Sequence, residues 1–176
     1  MQHKTEAATG NRLNEIAEAY PHILISANPS WESQGPLGTL LAAPLVRNQT
    51  TYVCYSDIVI SEDIVRLLQD SAGDVVLVAD VDWRNRYAGR SAEDMASAEK
   101  LRIIEGQVTD IGPLIPVDQT DAEFVGIMKL SPTAVTQLIN LQKRGGELAA
   151  HGTPKLVQEF LAAGLDIKPA EIKGGW

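Results

Sequence analysis

Val75-Val76-Leu77-Val78, followed by Ala79-Asp80-Val81-Asp82-Trp83-Arg84, is the stretch from which the class of fold can be read. Four apolar residues in succession, three of them β-branched, form a strand without polar alternation. Such a strand is expected where a sheet is covered on both faces. Immediately upstream, Ser61 can cap a helix whose apolar face is Ile64, Leu67 and Leu68, and Ser71-Ala72-Gly73 ends it. Before that lies a second apolar strand, Tyr52 to Tyr55. The order is strand, helix, strand, and right-handed crossovers make neighbouring strands of this kind parallel. This half of the chain reads as doubly wound α/β.

The same alternation continues toward the N-terminus. Gly35-Pro36 opens a helix through Leu45, with Leu37, Leu40, Leu41 and Leu45 on one face. His22 to Ser26 is a strand ending in the turn Asn28-Pro29, and Asn11 to Tyr20 is a short amphipathic helix with Leu13, Ile16, Ala17 and Tyr20 aligned. Residues 1–9 lack an apolar period and are expected to be disordered or extended, leaving 10–176 as a single, partial domain. Toward the C-terminus the pattern changes to short strands, Leu101 to Ile104, Gln107 to Ile111 and Glu123 to Leu130, separated by Gly and Asp turns. They suit a small antiparallel flap. Pro132 then begins a helix to about Arg144, closed by Gly145-Gly146, and Pro154 begins another carrying Leu156, Val157, Phe160 and Leu161.

At 176 residues, with 44% hydrophobic and 22% charged residues, the chain has the composition of one packed domain. A formal net charge of −8 works against broad binding to nucleic acid or to anionic membranes, since both repel it. Phosphorylated small molecules remain open to it through a local basic cluster or a bound cation. No window approaches a membrane span and no signal-type apolar stretch follows Met1, so a cytoplasmic location is expected. Cys54, the single cysteine, lies in an apolar run and is expected to be buried.

The chemistry-bearing residues cluster after the strands. Asp57 follows the strand Tyr52 to Tyr55 directly, where open α/β sheets form their ligand crevice. A carboxylate there can hold Mg2+ against phosphate oxygens, or it can serve only as a turn or helix-cap aspartate. Asp82 follows the next strand in the same manner. Arg84, Arg86 and Arg90 come within one loop behind it, suited to bidentate phosphate binding or to a solvated, salt-bridged surface. His3, His22 and His151 have no metal-ligand spacing, and no Walker loop, Gly-x-Gly-x-x-Gly or Gly-x-Ser-x-Gly occurs.

Taken in order, Ala27-Asn28-Pro29-Ser30-Trp31, Gln34-Gly35-Pro36-Leu37-Gly38-Thr39-Leu40, Tyr55-Ser56-Asp57-Ile58 and Asp80-Val81-Asp82-Trp83 resemble the nucleotidyltransferase family. The nearest branch is the cytidylyltransferase-like domains of phosphonate and phosphocholine metabolism, which Ala98-Glu99-Lys100 and Glu123-Phe124-Val125-Gly126-Ile127-Met128-Lys129 also resemble. The resemblance implies a Rossmann-like three-layer α/β/α sandwich with a mostly parallel sheet. It implies transfer of a nucleotidyl group, CMP from CTP, to a small molecule bearing a phosphate or phosphonate, with release of pyrophosphate and with Mg2+ as cofactor. Asp57 would be a catalytic metal ligand. Asp82 and Arg84, Arg86 and Arg90 would face the acceptor, as would Glu99 and Lys129. In the family a first strand and a Gly-rich loop bearing Arg, followed by a Lys, cradle the triphosphate, and a second metal-binding Asp follows the Trp. Neither is found between Met1 and Trp176, so the first strand-loop-helix unit is expected to be missing, and a homo-oligomer or a complementing chain is expected. The alternative function is a non-catalytic scaffold or partner subunit of the same fold. A phosphoryl hydrolase using Asp57 and Asp82 directly is a third reading that the spacing does not favour.

Overall fold

The computed structural model describes residues 6–9, 13–144 and 146–176. Two sheets organise them. A small parallel pair, β1 (Glu6–Thr9) and β2 (Leu24–Ala27), is joined through helix α1 (Leu13–Ala19). The main sheet has six strands: β3 (Thr51–Cys54), β4 (Val75–Asp80), β5 (Lys100–Ile104), β6 (Gln107–Gly112), β7 (Ala122–Leu130) and β8 (Ile167–Ile172). Its path is β6-β5-β7-β4-β8, with β3 also on β7. Helices α2 (Pro36–Ala42), α3 (Glu62–Asp70), α6 (Pro132–Arg144) and α7 (Thr153–Ala162) cover it, and two short helices, α4 (Trp83–Arg86) and α5 (Ala92–Ser97), follow β4.

The apolar run at residues 75–80 does what its composition dictates. All six residues of β4 are buried, and they alternate between two cores. Val75, Leu77 and Ala79 join Phe124, Met128 and Leu130 of β7 beneath α2, α6 and α7, whereas Val76 and Val78 join Val125 and Ile127 against Ile64 and Leu68 of α3. This period-2 division makes a helix/sheet/helix sandwich of mixed α/β type. Each large side chain fully buried in it contributes about 1.5–3 kcal/mol relative to exposure.

Several expectations need correction. β3 and β4 run in the same direction but are not neighbours, because β7 lies antiparallel between them, with Thr51 and Val75 both opposite Leu130. Strand-helix-strand order fixed the relative direction but not adjacency. Cys54 is exposed, not buried. Among the described residues β3 pairs only with β7, over Thr51–Cys54, and its exposure alternates, so it behaves as an edge strand. Glu6–Thr9, part of the segment expected to be disordered or extended, is a strand, while residues 1–5 lie outside the described residues, as do Asn11, Arg12 and His3. The aligned face of α1 finds little cover: Tyr20 at its end is half exposed and Ile16 only half-buried.

β8 has no counterpart in the sequence pattern, since Pro169, Lys168 and Glu171 interrupt it. It is parallel to β4 at the end of the sheet path, a place where a proline costs no ladder bond on its open side. α4 and α5 fall where the sequence reads as loop. α5 carries a capping box, with Asp94 N donating to Ser91 Oγ and Ser91 N donating to the Asp94 carboxylate. Among the described residues no helix is long and apolar enough to cross a membrane.

Candidate functional site

The registers bring the starts of β5 and β7 against the end of β4: Glu123 pairs with Asp80 on one side and with Lys100 on the other. The end of β3 joins the same edge, because Tyr55 N donates to Gly126 O at 2.8 Å. Residues remote in sequence are thus gathered at one edge of the sheet, where such sheets place their ligands.

Two carboxylates there are each held by a tyrosine. The Tyr55 hydroxyl donates to Glu99 Oε1 and Oε2 at 3.1 and 3.0 Å, and the Tyr87 hydroxyl donates to Glu123 Oε1 at 2.6 Å. Glu123 is buried, and its Oε2 has no partner among the described residues. Burial pushes both glutamates above the ordinary carboxyl range, the charge of Glu123 adds to the effect on Glu99, and the tyrosine bonds oppose it. For Glu123, Asp80 raises the value further while Arg86 and Arg90 draw it down. Burial likewise pushes both tyrosine hydroxyls well up, so they act as donors. Lys100, also buried, donates Nζ to Ala96 O at 2.7 Å, and burial lowers its pKa.

Asp80 is fully buried and accepts from Asp82 N, Gly174 N and Trp176 Nε1 at 2.9, 3.2 and 2.8 Å. It thereby seats Trp176, whose ring lies 4.1 Å from the Arg86 guanidinium carbon. Arg90 stacks over Tyr87 at 5.1 Å. Arg86 and Arg90 make no hydrogen bond or ion pair among the described residues, and a stacked guanidinium keeps its edge N–H groups for an oxyanion.

The candidates read from sequence divide accordingly. Arg86, Arg90 and Glu99 belong to this edge. Asp57 is exposed in the turn after β3 and makes no hydrogen bond or ion pair among the described residues. Asp82 stands just before α4 and makes no side-chain cap bond to its backbone; its Oδ1 accepts from the Asn85 side chain, Nδ2, at 2.6 Å. Arg84 donates to Val117 O and Thr120 O at 2.6 and 2.7 Å and holds the loop before β7. Lys129 sits toward the opposite end of β7, opposite Val76, and its Nζ donates to Gln69 O at 2.9 Å and to Ser71 O, closing α3. Sequence reasoning misses Glu123, Tyr55, Tyr87 and Trp176 as members of this edge, and marks Asp80 only as one of two acids at a strand end. The sequence signal for Glu123 is an acid at the head of the uncharged run Phe124 to Met128.

The two motifs nearer the N-terminus are tied together. Asn28 is buried, accepts from Ser30 N at 3.0 Å, and donates Nδ2 to Thr39 Oγ1 of α2 at 3.1 Å. A cleft of about 720 Å3 opens beside Glu99, between the β5–β6 hairpin, the loop after it and the start of α7. Among the described residues no three His, Cys, Asp or Glu side chains converge as a metal cluster. Mg2+ commonly takes one or two carboxylates and completes its shell with substrate phosphates and water, so the lone Asp57 fits Mg2+ that arrives on a triphosphate better than a resident ion.

No family model matches the chain. Over 146 residues it is 23% identical to the CTP:phosphoglutamine cytidylyltransferase of Campylobacter jejuni, an overlap that takes in 76% of this chain and 57% of that enzyme. The structure matches the inositol-1-phosphate CTP transferase from T. maritima with a TM-score of 0.67 and 14% identity, over 90% of this chain and 60% of that one. It matches the CTP:phosphocholine cytidylyltransferase from Streptococcus pneumoniae with a TM-score of 0.66 and 14% identity, over 98% and 70%. The chain spans less than two thirds of the first two relatives. Its fold is that of the nucleotidyltransferases, and the sequence likeness is to a cytidylyltransferase.

Proposed function

We propose that this chain carries the acceptor side of a cytidylyltransferase, serving transfer of CMP from CTP to a small molecule that bears a phosphate or phosphonate, in the cytoplasm. The observation that carries the reading is the convergence at one sheet edge of Glu99, Glu123, Arg86 and Arg90 beside a cleft, with Asp57 on the adjoining strand end, in a fold shared with enzymes of that chemistry.

In the transfer an acceptor oxygen attacks the α-phosphorus of CTP. The new P–O bond forms as the bond to the bridging oxygen breaks, and pyrophosphate leaves with that electron pair. The protein has little covalent work, so its contribution is positioning and charge neutralisation. Arg86 and Arg90 supply guanidinium groups already oriented by Trp176 and Tyr87. Glu99 and Glu123, fixed by their tyrosines, orient donor groups of the acceptor. Asp57 is the residue that would hold Mg2+, and the ion would supply positive charge to the phosphates. An exposed carboxylate with no competing partner among the described residues is suited to that task.

Calorimetric titration with CTP, with and without Mg2+, tests the reading. Binding should require Mg2+ and should weaken about tenfold in Asp57→Asn, the loss of one charged ligand. CTP binding that ignores both Mg2+ and the substitution, or no CTP binding at all, contradicts it.

A further inference from the structure

We infer that Trp176 is a positioning residue: with Gly174 and Gly175 it forms a strap through which an oxyanion bound at Arg86 fixes the turn that carries Asp57. Both ends of the strap are set by contacts. At one end the Trp176 ring lies 4.1 Å from the Arg86 guanidinium carbon, and its Nε1 donates to Asp80 Oδ2 at 2.8 Å. At the other end Gly175 O accepts from Ser61 N at 3.3 Å. Between them Gly174 N donates to Asp80 Oδ1 at 3.2 Å.

The turn has little else to hold it. From Ser56 to Ile60 no backbone N–H donates a hydrogen bond among the described residues. The stretch is pinned at its two ends, by Tyr55 N on Gly126 O and by Ser61 N on Gly175 O. Ile58 and Ile60 pack against the core beneath α3, as Trp176 does. Gly126 is fixed within β7, whereas Gly175 lies outside any strand or helix. The position of Asp57 therefore follows Gly175, and Gly175 follows Trp176.

The bend of the strap is specific. Gly174 and Gly175 have φ of +70° and +87°, a conformation that residues with a side chain rarely adopt. An oxyanion that takes the edge N–H groups of Arg86 fixes the guanidinium plane, and cation–π attraction then fixes the ring stacked on it. A seated ring keeps the Ser61 bond closed, and a loose one frees the turn. The coupling runs in both directions, because whatever the anion does to the turn, the ordered turn does to the affinity for the anion. That the two ends are the acceptor and nucleotide sides of one transfer rests on the function proposed above, but the strap does not.

Amide exchange followed by NMR tests the inference on the whole chain, with inorganic phosphate titrated to saturation and no nucleotide present. Phosphate should slow exchange at Ser61 by about fivefold relative to Leu138 of α6, the low end of coupling between sites. Trp176→Ala and Arg86→Gln should each abolish that response, and Trp176→Phe, which keeps a ring for Arg86, should keep most of it. Phosphate binding without a change at Ser61, a response that persists in Trp176→Ala or in Arg86→Gln, or no phosphate binding at all overturns the inference. CTP binding without the response at Ser61 would remove the strap and leave the transfer. The response without CTP binding would retain the strap and remove only its part in the transfer.

Discussion

Asp80 and Asp82 stand two positions apart at the end of one strand, yet they end in different surroundings. Asp82 is exposed and accepts only from the Asn85 side chain, whereas Asp80 is fully buried and fixes Gly174 and Trp176 from a distant part of the chain. Asp80→Asn keeps the shape but has one acceptor oxygen in place of two: the bonds from Asp82 N and Gly174 N to Oδ1 lose their charge assistance, and the amide NH2 in the place of Oδ2 can no longer accept from Trp176 Nε1, with a loss of about 1.5–3 kcal/mol. At this chain size each kcal/mol lowers Tm by about 2–4 °C, and the Gly174 amide should exchange with solvent faster. An unchanged Gly174 exchange rate in Asp80→Asn would show that the carboxylate does not hold this segment. The sequence marks both aspartates as strand-end acids but cannot separate them, because the partners that decide lie 94 and 96 residues away. The tyrosine–glutamate pairs have the same character, 44 and 36 residues apart. Arg86 and Arg90 were legible as charged residues after a strand end and Glu99 only through the resemblance; their neighbours on the edge were not.

Between elements, the seam of β3 and β7 depends on Gly126. Its φ is +87°, and a Cβ built there would run into the Tyr55 ring. Gly126→Ala therefore meets two costs, about 1–2 kcal/mol for a left-handed backbone and about 1–3 kcal/mol for overpacking. Urea denaturation should show both in the parent protein, and only the backbone part when Tyr55→Ala has already removed the ring. Equal costs in the two backgrounds would mean that the ring is not what Gly126 makes room for. The elements themselves were largely legible: Pro132 and Pro154 begin helices, and the Gln107, Glu123 and Val75 strands lie where periodicity puts them. Adjacency was not, because β7 enters between β3 and β4 from beyond β5 and β6, and no local pattern carries that pairing. Cys54 is exposed because it shares one face of β3 with the exposed Tyr52, while Thr51 and Val53 on the other face are half-buried.

At the scale of the whole molecule, the edge that gathers these groups should leave a mark on stability. Glu99 and Glu123 have folded-state values above those of the unfolded chain, with burial as the leading cause. Such a carboxyl binds its proton more tightly when folded, so the folded state gains stability as pH falls toward the unfolded value of about 4.3 and loses it as pH rises through the folded value. Glu159 has the opposite sign: its bond to Lys155 lowers its value, so its contribution is lost only as pH falls through that lowered value, and at an exposed pair it is small and screened by salt. With 23 acidic residues and a net charge of −8, the slope of Tm with pH in the parent protein mixes many groups. The informative quantity is the difference from a Glu99→Gln, Glu123→Gln double variant, in which Tyr55 and Tyr87 can still donate to the amide oxygens. Calorimetry from weak acid to neutrality should give the variant a flatter decline with rising pH, and the difference should survive added salt because the groups are screened by protein and not by ions. Parallel declines would mean that neither glutamate is desolvated in the folded chain, and would remove the preformed, partly dehydrated edge on which recognition of an acceptor depends.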